Sequence, residues 1–109
     1  MPVGDSVVEA ILDLVRSARP EEATASNKVK EMISWGPGPR AAQALMLACR
    51  ARALIKGNLA PSIEDVAALA HPVMVHRMAL GFGARAQGVS LSGLISELTV
   101  AATGIEAAA

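Results

Sequence analysis

Residues 39–56 read PRAAQALMLACRARALIK, and this stretch decides the fold class. It opens on Pro39, which suits a first helical turn because the N–H that proline lacks has no partner there anyway. Alanine and leucine, both strong helix formers, fill it, and Gly57 is placed to end it. The expected helix therefore runs from about Pro39 to Lys56. On a helical wheel Ala41, Ala44, Leu47, Ala48, Ala51, Leu54 and Ile55 share one continuous sector, expected to be the buried face. Gln43 and Arg50 border that sector, Arg52 and Lys56 lie opposite, and Cys49 points away from it.

On the N-terminal side, Asp5 or Ser6 can cap a first helix. Val7, Val8, Ile11, Leu12 and Val15 recur at helical spacing, with Glu9, Asp13 and Arg16 off the stripe. Pro20 ends that helix. Residues 19–27 (RPEEATASN) are polar and without period, which predicts a loop. Val29, Ile33 and Trp35 nearly alternate, while Val29, Met32 and Ile33 fit a helical turn, so short strand and short helix both remain open. Gly36-Pro37-Gly38-Pro39 then makes a rigid turn in front of the long helix.

On the C-terminal side, Pro61-Ser62-Ile63-Glu64-Asp65-Val66 is a helix start. Ser62 serves as N-cap, the two acids sit where the helix dipole favours anions, and Val66 and Leu69 face inward. Pro72 is expected to break this helix, with a new one running to about Leu80 before Gly81 and Gly83 interrupt. Ser90 or Ser92 caps a last helix with the stripe Leu91, Leu94, Ile95 and Leu98, and the tail 105–109 is expected to fray. The reading is an all-α single domain over residues 1–109, a small bundle of about four to five helices, with no internal repeat.

Composition agrees. Of 109 residues, 22 are Ala and only Trp35 and Phe82 are aromatic, so the core is built from small and aliphatic side chains. A chain this long buries roughly 65% of its unfolded surface, enough for one modest core. The formal net charge is zero, which argues against a general nucleic-acid or anionic-membrane binder. A helix-turn-helix DNA reader would also need a basic, base-reading helix face, and none is present. The longest apolar run falls short of a membrane span, and Asp5, Glu9 and Asp13 stand where a signal peptide would be basic. Cys49 is the one cysteine, so no internal disulfide can form. Cytoplasmic location is the expectation.

The missing motifs narrow the chemistry. No glycine precedes a lysine, so there is no phosphate-cradling loop of the G-x-x-x-x-G-K-[ST] type. His71 and His76 are five residues apart with Pro72 between them, and with one cysteine they make a poor metal set, so no metal is expected. Cys49 sits mid-helix without an activating cation or helix terminus, which predicts an inert thiol. No catalytic residue is expected in the chain by itself. Arg16, Arg19, Arg77 and Arg85 have weaker claims on a role; His76-Arg77 could be a polar anchor between helices, and Arg50, Arg52 and Lys56 form a basic flank.

Arg40 breaks a local rule. The first turn of a helix carries partial positive charge and prefers Asp or Glu, yet this helix opens on Arg. The wheel puts Arg40 in the middle of the expected buried sector. A guanidinium added to a helix N-terminus builds an anion site, with phosphate the obvious anion. The other reading is a pair with Asp65 or Glu64 that only locks the fold. Spacing alone leaves both open.

Taken together, the segments resemble the C-terminal helical lid of MoxR-type AAA+ ATPases. Gly36-Pro37-Gly38-Pro39-Arg40-Ala41 is similar to the family's Gly-Ala-Ser-Pro-Arg-Ala motif, and the long helix follows it in both. Pro61-Ser62-Ile63-Glu64-Asp65-Val66 resembles the Thr-Pro-Glu-Asp-Val helix start, and Pro72-Val73-Met74-Val75-His76-Arg77-Met78 the Val-Leu-x-His-Arg-Leu segment. Gln87-Gly88-Val89-Ser90 before the final helix, and Asp13-Leu14-Val15-Arg16 in the first, fit as well. The match covers nearly the whole chain in order. Gly81-Phe82-Gly83-Ala84-Arg85 departs from the family's Ser-Tyr-Glu-Ala-x, losing an acid and gaining helix breakers.

The resemblance implies that Arg40 is the sensor-2 arginine, reaching the γ-phosphate of ATP, with Gly38 and Pro39 shaping the approach. It implies ATP and Mg²⁺ as cofactors of a parent enzyme, with none expected in the isolated domain because the P-loop core is absent from the chain. It implies partners: that core, neighbouring subunits of a homo-oligomeric ring, and client or von Willebrand A-type proteins, with hydrolysis coupled to chaperone-like remodelling. The alternative is a stand-alone helical adaptor that binds a protein partner and has no nucleotide role.

Overall fold

Six α-helices, one 3-10 turn and a two-stranded ribbon make up residues 3–23 and 25–105, which the computed structural model describes. In chain order they are α1 (Asp5–Ser17), α2 (Asn27–Met32), β1 (Ile33–Trp35), α3 (Arg40–Ile55), α4 (Ile63–Met74), the 3-10 turn (Val75–Arg77), β2 (Ala79–Leu80), α5 (Phe82–Ala86) and α6 (Leu91–Thr103). The all-α expectation is borne out. Helices α1, α3, α4 and α6 pack on one another around Ile11, Leu14, Leu45, Val66, Met74 and Ile95. No helix among the described residues is long and apolar enough to cross a membrane.

The ambiguous segment before the long helix does both things that its spacing allowed. Ser26 caps α2 by accepting from the Val29 N–H at 3.3 Å, and the chain then extends into β1. Strand β1 pairs antiparallel with β2, Ile33 facing Leu80 and Trp35 facing Ala79. Residues 79–80 are thus strand, where the sequence suggested helix to Leu80. Residues 106–109, part of the tail expected to fray, lie outside the described residues.

One helix start differs in detail from expectation. Helix α1 has Gly4 at its N-cap and no side-chain cap; Asp5 is its first residue. Ser62 is the N-cap of α4 as read, and it forms a capping box with Asp65, whose carboxylate takes the Ser62 N–H at 2.8 Å and its hydroxyl at 3.3 Å. The cap at Ser90 holds as read, accepting from the Gly93 N–H at 3.1 Å. Gly57 and Gly104 follow α3 and α6 with φ of 79° and 73°, the left-handed conformation that glycine adopts without a Cβ clash.

Three readings need correction. Pro72 does not break α4, which continues to Met74. Its ring lies on the exposed side of the helix, and the helix ends only two residues later, so little helix follows the proline. The buried face of α3 is Ala41, Leu45, Cys49 and Ala53; of the sector chosen on the wheel only Ala41 belongs to it. Leu47, Leu54 and Ile55 are exposed, Ile55 at 86%. Cys49 is fully buried, and Arg52, placed opposite on the wheel, reaches the buried Asp65 of α4. Apolar residues surround α3 on all sides, so periodicity could not choose its face. Packing chose the small ones, because Ala41, Cys49 and Ala53 let α1 and α4 approach closely.

The third correction is Arg40. Once the face of α3 is turned, Arg40 is exposed rather than central to the core.

Candidate functional site

The turn Gly36–Pro39 sets the start of α3. Proline rings fix φ at 37 and 39, and Ala41 donates back to the Gly38 carbonyl at 3.1 Å. No side chain caps this terminus and its first turn holds no acid. The positive end of the α3 dipole is therefore not neutralised by the protein.

In front of it lies an open cleft of about 530 Å³. One wall is the turn with Gly38, Pro39 and Arg40; the other is the 3-10 turn after α4, with His76 and Arg77, and Trp35 of β1 closes the rim. Arg77 is held by its Nη1, which donates to the Val73 carbonyl at 2.8 Å. That contact stays within its own segment, at the C-terminal end of α4, where a cation is favoured. The polar-anchor reading of His76-Arg77 is thus replaced by a wall of the cleft: His76 is exposed and faces it.

The structure does not bring Arg40 to Asp65 or Glu64. Asp65 is taken by Arg52 and Ser62, and no carboxylate among the described residues lies within ion-pair distance of Arg40. The cleft thus gathers two guanidiniums, an imidazole and a helix N-terminus, with no carboxylate on its walls. Such a surface attracts oxyanions. It supplies no nucleophile, and no three His, Cys, Asp or Glu side chains gather to hold a metal among the described residues.

Away from the cleft, His71 Nε2 lies 2.8 Å from Ser92 Oγ and ties α4 to α6. Cys49 is buried beside the Asp65–Arg52 pair. Burial, aided by the negative charge of Asp65 and opposed by Arg52, pushes its thiol up to about 11, so it is protonated at neutral pH. Trp35, His76 and Arg77 were not legible as partners of Arg40, because they come from segments that meet only through the β1–β2 ribbon and the end of α4.

The sequence model of the AAA lid domain matches residues 25–98, which include both walls of this cleft. The chain belongs to the AAA lid domain family. Chaperone MoxR1 of Mycobacterium tuberculosis is 30% identical over 88 residues, 81% of this chain and 23% of that protein. A solved structure of a provisionally assigned ATPase from Cytophaga hutchinsonii superposes with a TM-score of 0.79 at 26% identity, covering 88% of this chain and 29% of that one. The MoxR-type resemblance is borne out. The chain spans about a quarter of the length of these relatives.

Proposed function

We propose that this domain is the nucleotide-sensing lid of a MoxR-like AAA+ ATPase, with Arg40 as its sensor-2 arginine. The observation that carries the reading is the placement of Arg40: exposed, with no carboxylate among the described residues paired to it, at an uncapped helix N-terminus, in a cleft whose charged groups are all basic. Guanidinium, helix dipole and open N–H groups then act on one anion, and the γ-phosphate of ATP is the anion that changes during turnover. Arg40 stabilises charge on the transferring phosphoryl group, the role an arginine finger plays. Gly38 and Pro39 shape the approach and carry no charge of their own. Arg77 adds a second cation from the opposite wall.

Mg²⁺ and the attacking water belong to a P-loop core, which this chain does not contain; its own residues bind, orient and report. In the assembled enzyme the lid closes on ATP, passes the nucleotide state to neighbouring subunits of a homo-oligomeric ring, and helps remodel client proteins, von Willebrand A-type partners among them. The exposed apolar side of α3, Leu47, Leu54 and Ile55, supports docking on a core. A lid that reads ATP works where ATP is available, so the reading carries a cytoplasmic location.

The test is discrimination between nucleotides. A γ-phosphate reader loses ATP affinity when Arg40 becomes alanine and keeps ADP affinity. In the full-length protein Arg40→Ala should weaken ATP about tenfold, worth ~1.4 kcal/mol, with ADP within about twofold. Equal loss of both, or of neither, contradicts the role. The same exposed side of α3 also favours a second reading, a helical adaptor for a protein partner in which Arg40 has no nucleotide role; unchanged affinities for both nucleotides would make it the better one.

A further inference from the structure

The Gly36–Pro39 turn cannot close itself. Pro37 and Pro39 have no N–H, so little donor capacity is available within four residues. The Pro37 carbonyl, on a buried residue, is satisfied from 18 residues upstream by Arg19, whose Nε donates to it at 2.9 Å. Arg19 directly follows Ala18, the C-cap of α1. Its Nη1 also lies 3.7 Å from Glu22 Oε1, a long contact between half-buried side chains that adds little.

A second contact holds the same two segments together. Gly36 lies so close under the end of α1 that a Cβ there would overlap the Ala18 carbonyl oxygen and stand 2.9 Å from the Arg19 Cα. Backbone rests on backbone, and Arg19 fixes the sliding direction that packing leaves free. Only Gly38 and Pro39 separate the Pro37 carbonyl from Arg40; proline fixes φ at 39, and the Gly38 carbonyl accepts from the Ala41 N–H at 3.1 Å, which ties Gly38 to the first turn of α3. A shift of that carbonyl is therefore passed on to the first turn of α3.

We infer that Arg19 is a positioning residue for Arg40, setting through the Pro37 carbonyl the direction in which α3 presents its first turn to the cleft. This rests on the sensor role proposed for Arg40. Arg19 lies outside the segment that matches the lid family, residues 25–98. It connects the first helix of the domain to the phosphate-facing turn, so displacement of α1 moves Arg40.

A double-mutant cycle in the full-length ATPase tests this. Arg19→Met keeps the aliphatic stem and removes the donor; Arg19→Lys keeps a donor that can reach the carbonyl. Arg19→Met should lower kcat for ATP roughly tenfold, the effect of one charge-assisted hydrogen bond, with KM within about twofold. Arg19→Lys should recover at least half of that loss on a logarithmic scale. The deciding readout is coupling: in an Arg40→Ala background, Arg19→Met should add less than a twofold further loss. A fold defect would instead multiply with the loss from Arg40→Ala, and far-UV circular dichroism melts would show it. Multiplying losses, or wild-type kcat in Arg19→Met, overturn the inference while leaving the sensor role standing if Arg40→Ala alone is impaired. Wild-type turnover in Arg40→Ala removes the sensor role, and the inference with it.

Discussion

Replacing Asp65 with alanine probes how α3 and α4 are joined. The carboxylate is fully buried and accepts from the Ser62 N–H, the Ser62 hydroxyl and Arg52. These losses differ in kind. The Ser62 N–H stands at the start of α4, and losing its cap costs about 1 kcal/mol. The Arg52 side chain is 33% exposed, so its guanidinium can turn back to water. The pair is then worth about 1 kcal/mol, not the ~3–5 kcal/mol of a pair buried on both sides. The void left by the carboxylate adds ~0.5 kcal/mol. The sum, ~2–3 kcal/mol, lowers Tm by roughly 10–20 °C in a domain of this size.

Acid supplies an internal control. Burial opposes ionisation of Asp65, but the Ser62 N–H, Arg52 and the Ser62 hydroxyl outweigh it and hold the pKa below its ordinary 3.8. A depressed native pKa contributes stability above the unfolded value and loses it as pH falls through the native one. The gap between wild type and Asp65→Ala should therefore be constant from pH 7 to about 5 and close below 3.8. Thermal melts by far-UV circular dichroism across that range measure it. A drop under about 3 °C at pH 7, or a gap that widens in acid, would refute the reasoning.

Other outcomes follow from the same geometry. Gly36→Ala forces a Cβ into the Ala18 carbonyl and should destabilise the domain by about 2 kcal/mol or more, measured by urea titration. Cys49, protonated and buried, should resist a thiol reagent at pH 8 in the folded chain and react at once in denaturant, whereas a solvated thiol would react in both. Ile55→Ser, at a position 86% exposed, should leave Tm within about 2 °C yet weaken oligomer assembly of the full-length protein, read by analytical ultracentrifugation. Unchanged assembly would show that this side of α3 is not a contact between subunits.

Much of the fold was legible because its punctuation is local. Gly57, Ser62 and Ser90 mark helix ends by rules that need no tertiary contact. The face of α3 was not legible. Its apolar residues go all the way round, and the choice depends on what α1 and α4 leave room for. That one ambiguity misplaced Cys49, Arg52 and Arg40 together, since all three ride on the same helix. Pro72 misled because the rule against interior proline weakens on an exposed side close to a helix end. In the cleft, Arg40 was readable from its misfit with the helix dipole. Arg77, His76 and Trp35 were not, since nothing local ties residues 35 and 76–77 to residue 40. Arg19 had one faint signal: a turn with two prolines must borrow a donor, but the sequence does not say from where.

The most direct test of the account is the turnover of ATP by the full-length protein with Arg40 replaced by alanine, beside thermal melts of the same variant. An exposed residue that no carboxylate among the described residues pairs with contributes little to the fold, so Tm should stay within about 2 °C of wild type. At the same time kcat should fall by roughly ten- to a hundredfold, ~1.4–2.7 kcal/mol of lost stabilisation of phosphoryl charge. Turnover at the wild-type rate in a folded variant would contradict it, and the cleft at the start of α3 would then need another ligand.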